Sequence, residues 1–255
     1  MPARILAIAL NTFREAIRNR ILYLLLVFAV ALILCAQVLS LMTVGSEEKI
    51  IKDFGLATID IFGVLTAVLL GIGLVSREIE RRTVYVLLAK PMHRAEFVLG
   101  KYVGLVLTLL VNTGVMAAVF VAVLLAKGIA DPALGVAIVM LYMEFLLITA
   151  LAILFSCLSN PIISCLLTLA LYVIGHLVWS LDLLRARLAS GAAKAACTFL
   201  SLVLPNLAPF DIKGQVVHGV PVAPGSLAFA AGYLVLYGGA VLALACATFQ
   251  RKELQ

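Results

Sequence analysis

Charge is what this chain has least of. Only 13% of its 255 residues are Asp, Glu, Lys or Arg, while 64% are hydrophobic. A soluble domain is about a quarter charged and about half apolar, so a water-facing globule is excluded. Histidine occurs three times, at 93, 176 and 218. Residues so far apart do not by themselves make a metal site. The five cysteines, at 35, 157, 165, 197 and 246, form no C-x-x-C pair. An odd, scattered set is no disulfide framework, and cysteine in apolar runs reads as a small buried hydrophobe. There is no phosphate-binding loop: Gly100-Lys101 lacks both the preceding glycine loop and the following Ser/Thr. This chain alone should not hydrolyse ATP. H-E-x-x-H and G-x-S-x-G are also missing. The net charge of +6 comes without any aromatic–basic nucleic-acid motif.

What is present is apolar sequence in long runs. Six stretches, 21–42, 54–76, 102–126, 133–158, 161–181 and 226–250, carry at most one ionisable Asp, Glu or His each. A spanning helix needs about 20 apolar residues. Barrel strands alternate instead, and only helices or closed barrels satisfy their backbone in lipid. The expected fold is an all-α integral membrane protein, one domain over 1–255. The first run starts late, is too long for a signal h-region and lacks an A-x-A-like cleavage site, so it should stay as a helix.

Six spans put both termini on one side. That side, with the loop after residue 76, holds 12 of the 19 Lys and Arg residues. The other side holds seven, four of them spread through 182–225. The positive-inside rule makes the first side cytoplasmic.

The first 20 residues read as an amphipathic helix. Leu6, Leu10, Phe13 and Ile17 share one face, with Arg4, Asn11, Arg14 and Arg18 elsewhere. Two readings stand here: a helix in the cytoplasmic headgroup layer, where anionic lipids favour its arginines, or an ordinary positive flank. Segment 182–225 contains Pro205, Pro209, Pro221 and Pro224, which forbid a continuous helix. It should lie at or dip into the outer interface and close that end of the bundle.

Two acids fall inside apolar runs, Asp60 and Glu144. Intramembrane acids are costly and are functional candidates by default. Glu144 either lines a path or supports a polar network, or it is a protonated or hydrogen-bonded acid that fixes packing. Asp60 either acts within the span or reaches the outer interface. His176, Trp179 and Asp182 close the fifth span and read as an interfacial anchor. Gly100-x-x-x-Gly104 permits close helix approach.

The loop from Arg77 to Lys101 holds nine charges, six of them basic. Hydrocarbon rejects such a segment. Ile79, Arg82, Val86 and Ala89 share one helical face, and Val84, Leu87 and Leu88 an adjoining one. Pro91 ends the helix, because the residue before proline is pushed out of α geometry. A short helix with apolar anchors set among charges suits a groove in another protein.

These residues carry a resemblance. The chain resembles the membrane subunit of type 2 ABC exporters, with the type V exporter fold. The pattern is Arg77-Glu78-x-Glu80, Thr83, Leu87-Leu88-Ala89-Lys90-Pro91, Arg94 and Gly100-Lys101. The tail adds Leu204-Pro205-Asn206-Leu207-x-Pro209-Phe210 and Phe249-Gln-Arg-Lys-Glu-Leu. Many relatives have glycine before the loop threonine, where this chain has Arg82. Within the family the pattern looks most like permeases of nitrous-oxide-reductase maturation or gliding motility.

The resemblance implies a coupling helix over 77–94 within a cytoplasmic coupling segment, 77–97. It would seat Arg77, Glu78, Glu80, Arg81, Arg82, Thr83, Leu87, Leu88, Pro91 and Arg94 on a separate ATP-binding subunit. Residues 1–20, with Phe13, Arg14 and Arg18, would be the elbow helix. Two ATPase subunits would bind ATP and Mg, and this chain would hold no cofactor. A second permease, identical or a close paralogue, would complete the path. The setting would be the inner (cytoplasmic) membrane, in contact with lipid, with no nucleic acid bound. The alternative is a self-sufficient secondary transporter or channel, which would need inverted repeats or helices broken at mid-span. An intramembrane enzyme would need a nucleophile–base or paired-acid signature, which is not found.

Overall fold

The computed structural model describes residues 2–40, 47–80, 94–129, 131–187 and 191–251. Every regular element among them is helical: α1 (Pro2–Ile17), α2 (Arg20–Ser40), α3 (Glu47–Glu80), α4 (Arg94–Ala126) and α5 (Ala133–Leu158). They are followed by α6 (Pro161–Arg187), α7 (Gly191–Val203), α8 (Lys213–Val217), α9 (Ser226–Tyr233) and α10 (Gly239–Arg251). A π-helical turn, Leu234–Gly238, joins α9 to α10 in one long element. Six helices among the described residues are long and apolar enough to cross a membrane. The protein is an all-α membrane bundle, as the apolar runs predict.

Helix boundaries depart from the apolar runs. The second spanning helix begins at Glu47, before its apolar run, and continues without a break to Glu80. The stretch 77–80 therefore prolongs α3, and 94–97 already belongs to α4. α6 likewise runs on to Arg187, past the end of its apolar run at 181.

α3 and α5 form the centre. Their spanning windows are 72% and 61% buried, against 28%, 22% and 17% for α2, α6 and the last helix. α5 is apolar on every side, as a helix with neighbours all round must be. The outer helices turn Phe28, Leu166, Val235 and Leu236 away from the protein. Glycines set the closest approaches. A Cβ on Gly63 would stand 2.1 Å from the Phe145 ring, and one on Gly55 equally close to Phe120. The rings of α5 and α4 thus lie directly on the α3 backbone. Side-chain hydrogen bonds add specificity: Asn112 donates to Thr66 Oγ1 at 3.3 Å, and Tyr142 to the Val106 carbonyl at 3.1 Å.

At the end bearing both termini, α1 packs along the first half of α4. Gly100 and Gly104 make this possible. A Cβ on Gly100 would meet Ile8 at 2.7 Å, and one on Gly104 would meet Thr12 at 2.6 Å and the Ala9 carbonyl at 2.7 Å. The buried side of α1 is therefore Ala9, Thr12 and Ala16, while Leu6 and Leu10 are exposed. The expected Leu6–Leu10 stripe faces outward, because only small side chains fit against a glycine pair. Lys101 is 1% exposed. It lies 3.6 Å from Glu15 and 5.8 Å from the centroid of the Phe97 ring, which stacks on Phe249. The nearby Glu96 carboxylate lies 4.0 Å from Arg4.

Gly104→Leu should detach α1 from α4. Overpacking costs about 1–3 kcal/mol, so thermal unfolding of the detergent-solubilised protein should shift clearly downward. Gly114→Ala, where a Cβ meets nothing within 4 Å, should leave the midpoint unchanged.

Candidate functional site

At the far end, away from the termini, the chain folds back into the bundle. Leu207 is fully buried and donates its N–H to the Gly175 carbonyl at 3.1 Å. It packs so tightly on Gly175 that a Cβ there would meet the Leu207 side chain at 2.8 Å. Phe210, Ile212, Val216 and Val217 are buried beside it. The Asn206 N–H reaches the Tyr233 hydroxyl at 2.8 Å, and Tyr237 donates to Val203 at 2.8 Å. Stretch 204–217 is thus a plug seated on α3, α5 and α6.

The plug carries Lys213 to Asp60. The Lys213 ammonium pairs with Asp60 Oδ2, which also accepts from the Tyr172 hydroxyl at 3.1 Å. Asp211 lies 3.7 Å from the same ammonium. Asp60 is 3% exposed, enclosed by protein and paired rather than open to solvent. A carboxylate so deep needs a counter-charge, and the plug supplies it. Burial alone would lower the Lys213 pKa. The Asp60 charge and hydrogen bond, with Asp211 and Glu144 beyond, outweigh this and hold it above the ordinary lysine value. Lys213 therefore keeps its charge below about pH 10.4 and loses the pairing only as pH rises through the still higher folded value.

Glu144 is fully buried on α5, and His176 Nε2 stands 3.4 Å from its Oε1. The separation is that of an ion pair, but neither atom has an aligned hydrogen-bond partner. The proton count follows from the other ring nitrogen. His176 Nδ1 lies 3.1 Å from the Tyr172 carbonyl, which can only accept, so Nδ1 carries a hydrogen. Were Nε2 bare and Glu144 ionised, two lone pairs would face each other in an apolar interior, a costly state. One proton therefore belongs between them, as imidazolium–carboxylate or as imidazole–carboxylic acid. His176 is thus part of the cluster rather than an anchor, while its neighbour Trp179 is 53% exposed.

A second ion cluster closes the far end nearby. Lys52 lies 2.6 Å from Glu48 and 2.7 Å from Asp131, whose other oxygen accepts from the Ala133 N–H at 3.0 Å. The Lys52 hydrogen bond, working against burial, holds the Asp131 carboxyl below its ordinary range.

The other sequence candidates fall elsewhere. Arg14 is exposed on α1 and Arg18 in the turn after it, and Phe13 is half-buried. Arg77, Glu78 and Glu80 lie on the last turn of α3, and Arg94 on the first of α4. Arg81, Arg82, Thr83, Leu87, Leu88 and Pro91 lie outside the described residues. Sequence reasoning missed Tyr172, Asp211 and Lys213. A signal for the last existed: Lys213 is the single Lys or Arg between residues 195 and 250. An isolated cation in a proline-rich stretch is the natural partner of an isolated intramembrane acid. No group of three metal-ligating side chains occurs among the described residues.

Lys213→Met should strand Asp60 and cost about 3–5 kcal/mol, as breaking a buried pair does. Adding Asp60→Asn should recover most of that loss in thermal unfolding. Recovery failing in the double variant would mean that the pair is not what seats the plug. Glu144→Gln, whose amide can donate to Nε2, should stay within about 1 kcal/mol of the parent. Glu144→Ala should be markedly less stable in the same measurement.

No curated protein matches the chain. The family described as ABC-2 family transporter protein matches residues 6–254, which is nearly the whole bundle, plug and buried cluster included. This chain belongs to the ABC-2 transporter membrane family.

Proposed function

We propose that this chain is the permease subunit of an ATP-binding-cassette exporter of the type V fold. It forms the path with a second permease, identical or closely paralogous, and takes its motion from two copies of a separate ATPase that bind ATP and Mg. Residues 77–94 are the coupling segment, and α1 is the elbow helix. The setting is the inner membrane, with both termini and the coupling segment cytoplasmic, as the Lys and Arg distribution favours. The loop pattern aligns it with permeases of nitrous-oxide-reductase maturation or gliding motility.

The observation that carries this reading is the continuity of α3. Its 34 residues extend about 50 Å at roughly 1.5 Å per residue, against about 30 Å of hydrocarbon. One uninterrupted rod therefore joins Arg77, Glu78 and Glu80 to Asp60. A displacement imposed at 77–94 reaches the plug's ion pair without an intervening hinge. The same segment leads into α4, which the glycine pair fastens to α1, so it moves both helices flanking it. The family match and the missing phosphate-binding loop agree with work being done by a partner.

Leu87→Asp and Arg81→Glu should each lower coupled ATPase activity of the reconstituted complex by about tenfold or more, the scale of an interface hot spot. Full coupling in both variants would remove 77–94 as the coupling segment, and a parent chain with which no ATPase co-purifies would return the reading to a self-sufficient transporter or channel.

A further inference from the structure

A basic cleft at the terminal end has no role in the cluster described above. Its walls are Asn11, Arg14 and Glu15 of α1, Arg18 and Asn19 of the α1–α2 turn, Arg20 at the start of α2, and Leu74 of α3, and its volume is about 740 Å³. The Asn19 side chain accepts the Ile21 N–H at 3.0 Å and caps α2. The positive end of a 21-residue helix thus opens into the cleft, where such ends favour anions.

The charges do not cancel. Glu15 is the cleft's one acid, and it is answered by the buried Lys101 at 3.6 Å. Among the described residues no carboxylate pairs with Arg14, Arg18 or Arg20. Three guanidinium groups, each able to hold phosphate oxygens two at a time, therefore surround one concavity. An apolar ridge leads out of it along α2. Ile21, Leu24 and Phe28 fall one turn apart and are 37%, 58% and 57% exposed. A phosphate at the mouth with hydrocarbon below it is the chemistry of a membrane lipid.

We propose that this cleft binds one anionic phospholipid from the leaflet on the termini's side. Its phosphate lies among Arg14, Arg18 and Arg20, and an acyl chain runs along Ile21, Leu24 and Phe28. The lipid fastens the α1–α2 turn to α3.

The test uses the full chain in detergent, with retained lipid counted by native mass spectrometry. Phosphatidylglycerol and phosphatidylcholine are offered in competition. One phosphatidylglycerol per chain should be kept in preference. Arg14→Gln, Arg18→Gln and Arg20→Gln should each weaken retention about fivefold, the value of one arginine at an anionic surface. The corresponding lysine variants should keep most of it. Arg4→Gln, also on α1 but outside the cleft, should change nothing, and glycerol 3-phosphate should not displace the lipid. Equal loss in Arg4→Gln would reduce the effect to general surface charge. Displacement by glycerol 3-phosphate would make the site one for a soluble phosphate. Unchanged lipid retention in the arginine variants, with loss of a co-purifying protein, would make the cleft a protein-docking surface. Each of these three results overturns the proposal.

Discussion

An ionised carboxylate inside an apolar bundle is tolerable only beside a counter-charge, and on Asp60's own helix Lys52 is turned to Glu48 and Asp131 instead. The nearest available cation in the fold is Lys213, roughly 150 residues along the chain. Much of the far half follows from bringing the two together. Stretch 204–217 must leave the surface and enter the bundle. Its backbone then needs partners below the surface, which Gly175 and Tyr233 provide. Gly175 has to lack a side chain so that Leu207 can come down beside it. One electrostatic requirement thus accounts for a glycine, a buried leucine and a tyrosine hydrogen bond that have no other evident connection.

The fold was largely legible because lipid makes simple demands. Uninterrupted apolar runs leave no structure but helices, and six of them show the architecture before any coordinate is known. What was illegible is where polar residues end up. The sequence shows that Asp60 is intramembrane but not that Lys213 comes back to meet it, since pairing across so many residues leaves no periodic trace. His176 illustrates the same difficulty. Its neighbours Trp179 and Asp182 suggest an interface, yet one turn of helix separates a lipid-facing indole from an imidazole turned inward to Glu144. At α1 the apolar stripe did not show which face meets α4, because size and not hydrophobicity decides which face can lie on Gly100 and Gly104.

The two ends of the bundle are built on different principles. The far end is held by charges brought together from distant segments: Lys52 with Asp131, and Lys213 with Asp60. The terminal end is held by close backbone contact, with Lys101 enclosed by α1 and an aromatic stack beside it. Contacts of the second kind lose a great deal for a small separation, because dispersion falls steeply with distance. Charge pairs weaken more gradually. A rigid α3 joining the two ends therefore connects a tightly packed base to a more yielding top, which suits a bundle moved from its base.

The π turn at Leu234–Gly238 sets the facing of the last helix. A π turn places one extra residue in the helical winding, so everything after it is rotated by roughly a third of a turn relative to a continuous α-helix. Before it, Tyr233 lies against Phe210 of the plug; after it, Ala245 and Phe249 are buried against the terminal-end core. A regular helix would present one phase along its whole length and would satisfy only one of these neighbours. The extra residue lets a single element serve two differently oriented surfaces. Removing it would leave composition and hydropathy almost untouched, yet it would turn Phe249 away from Phe97.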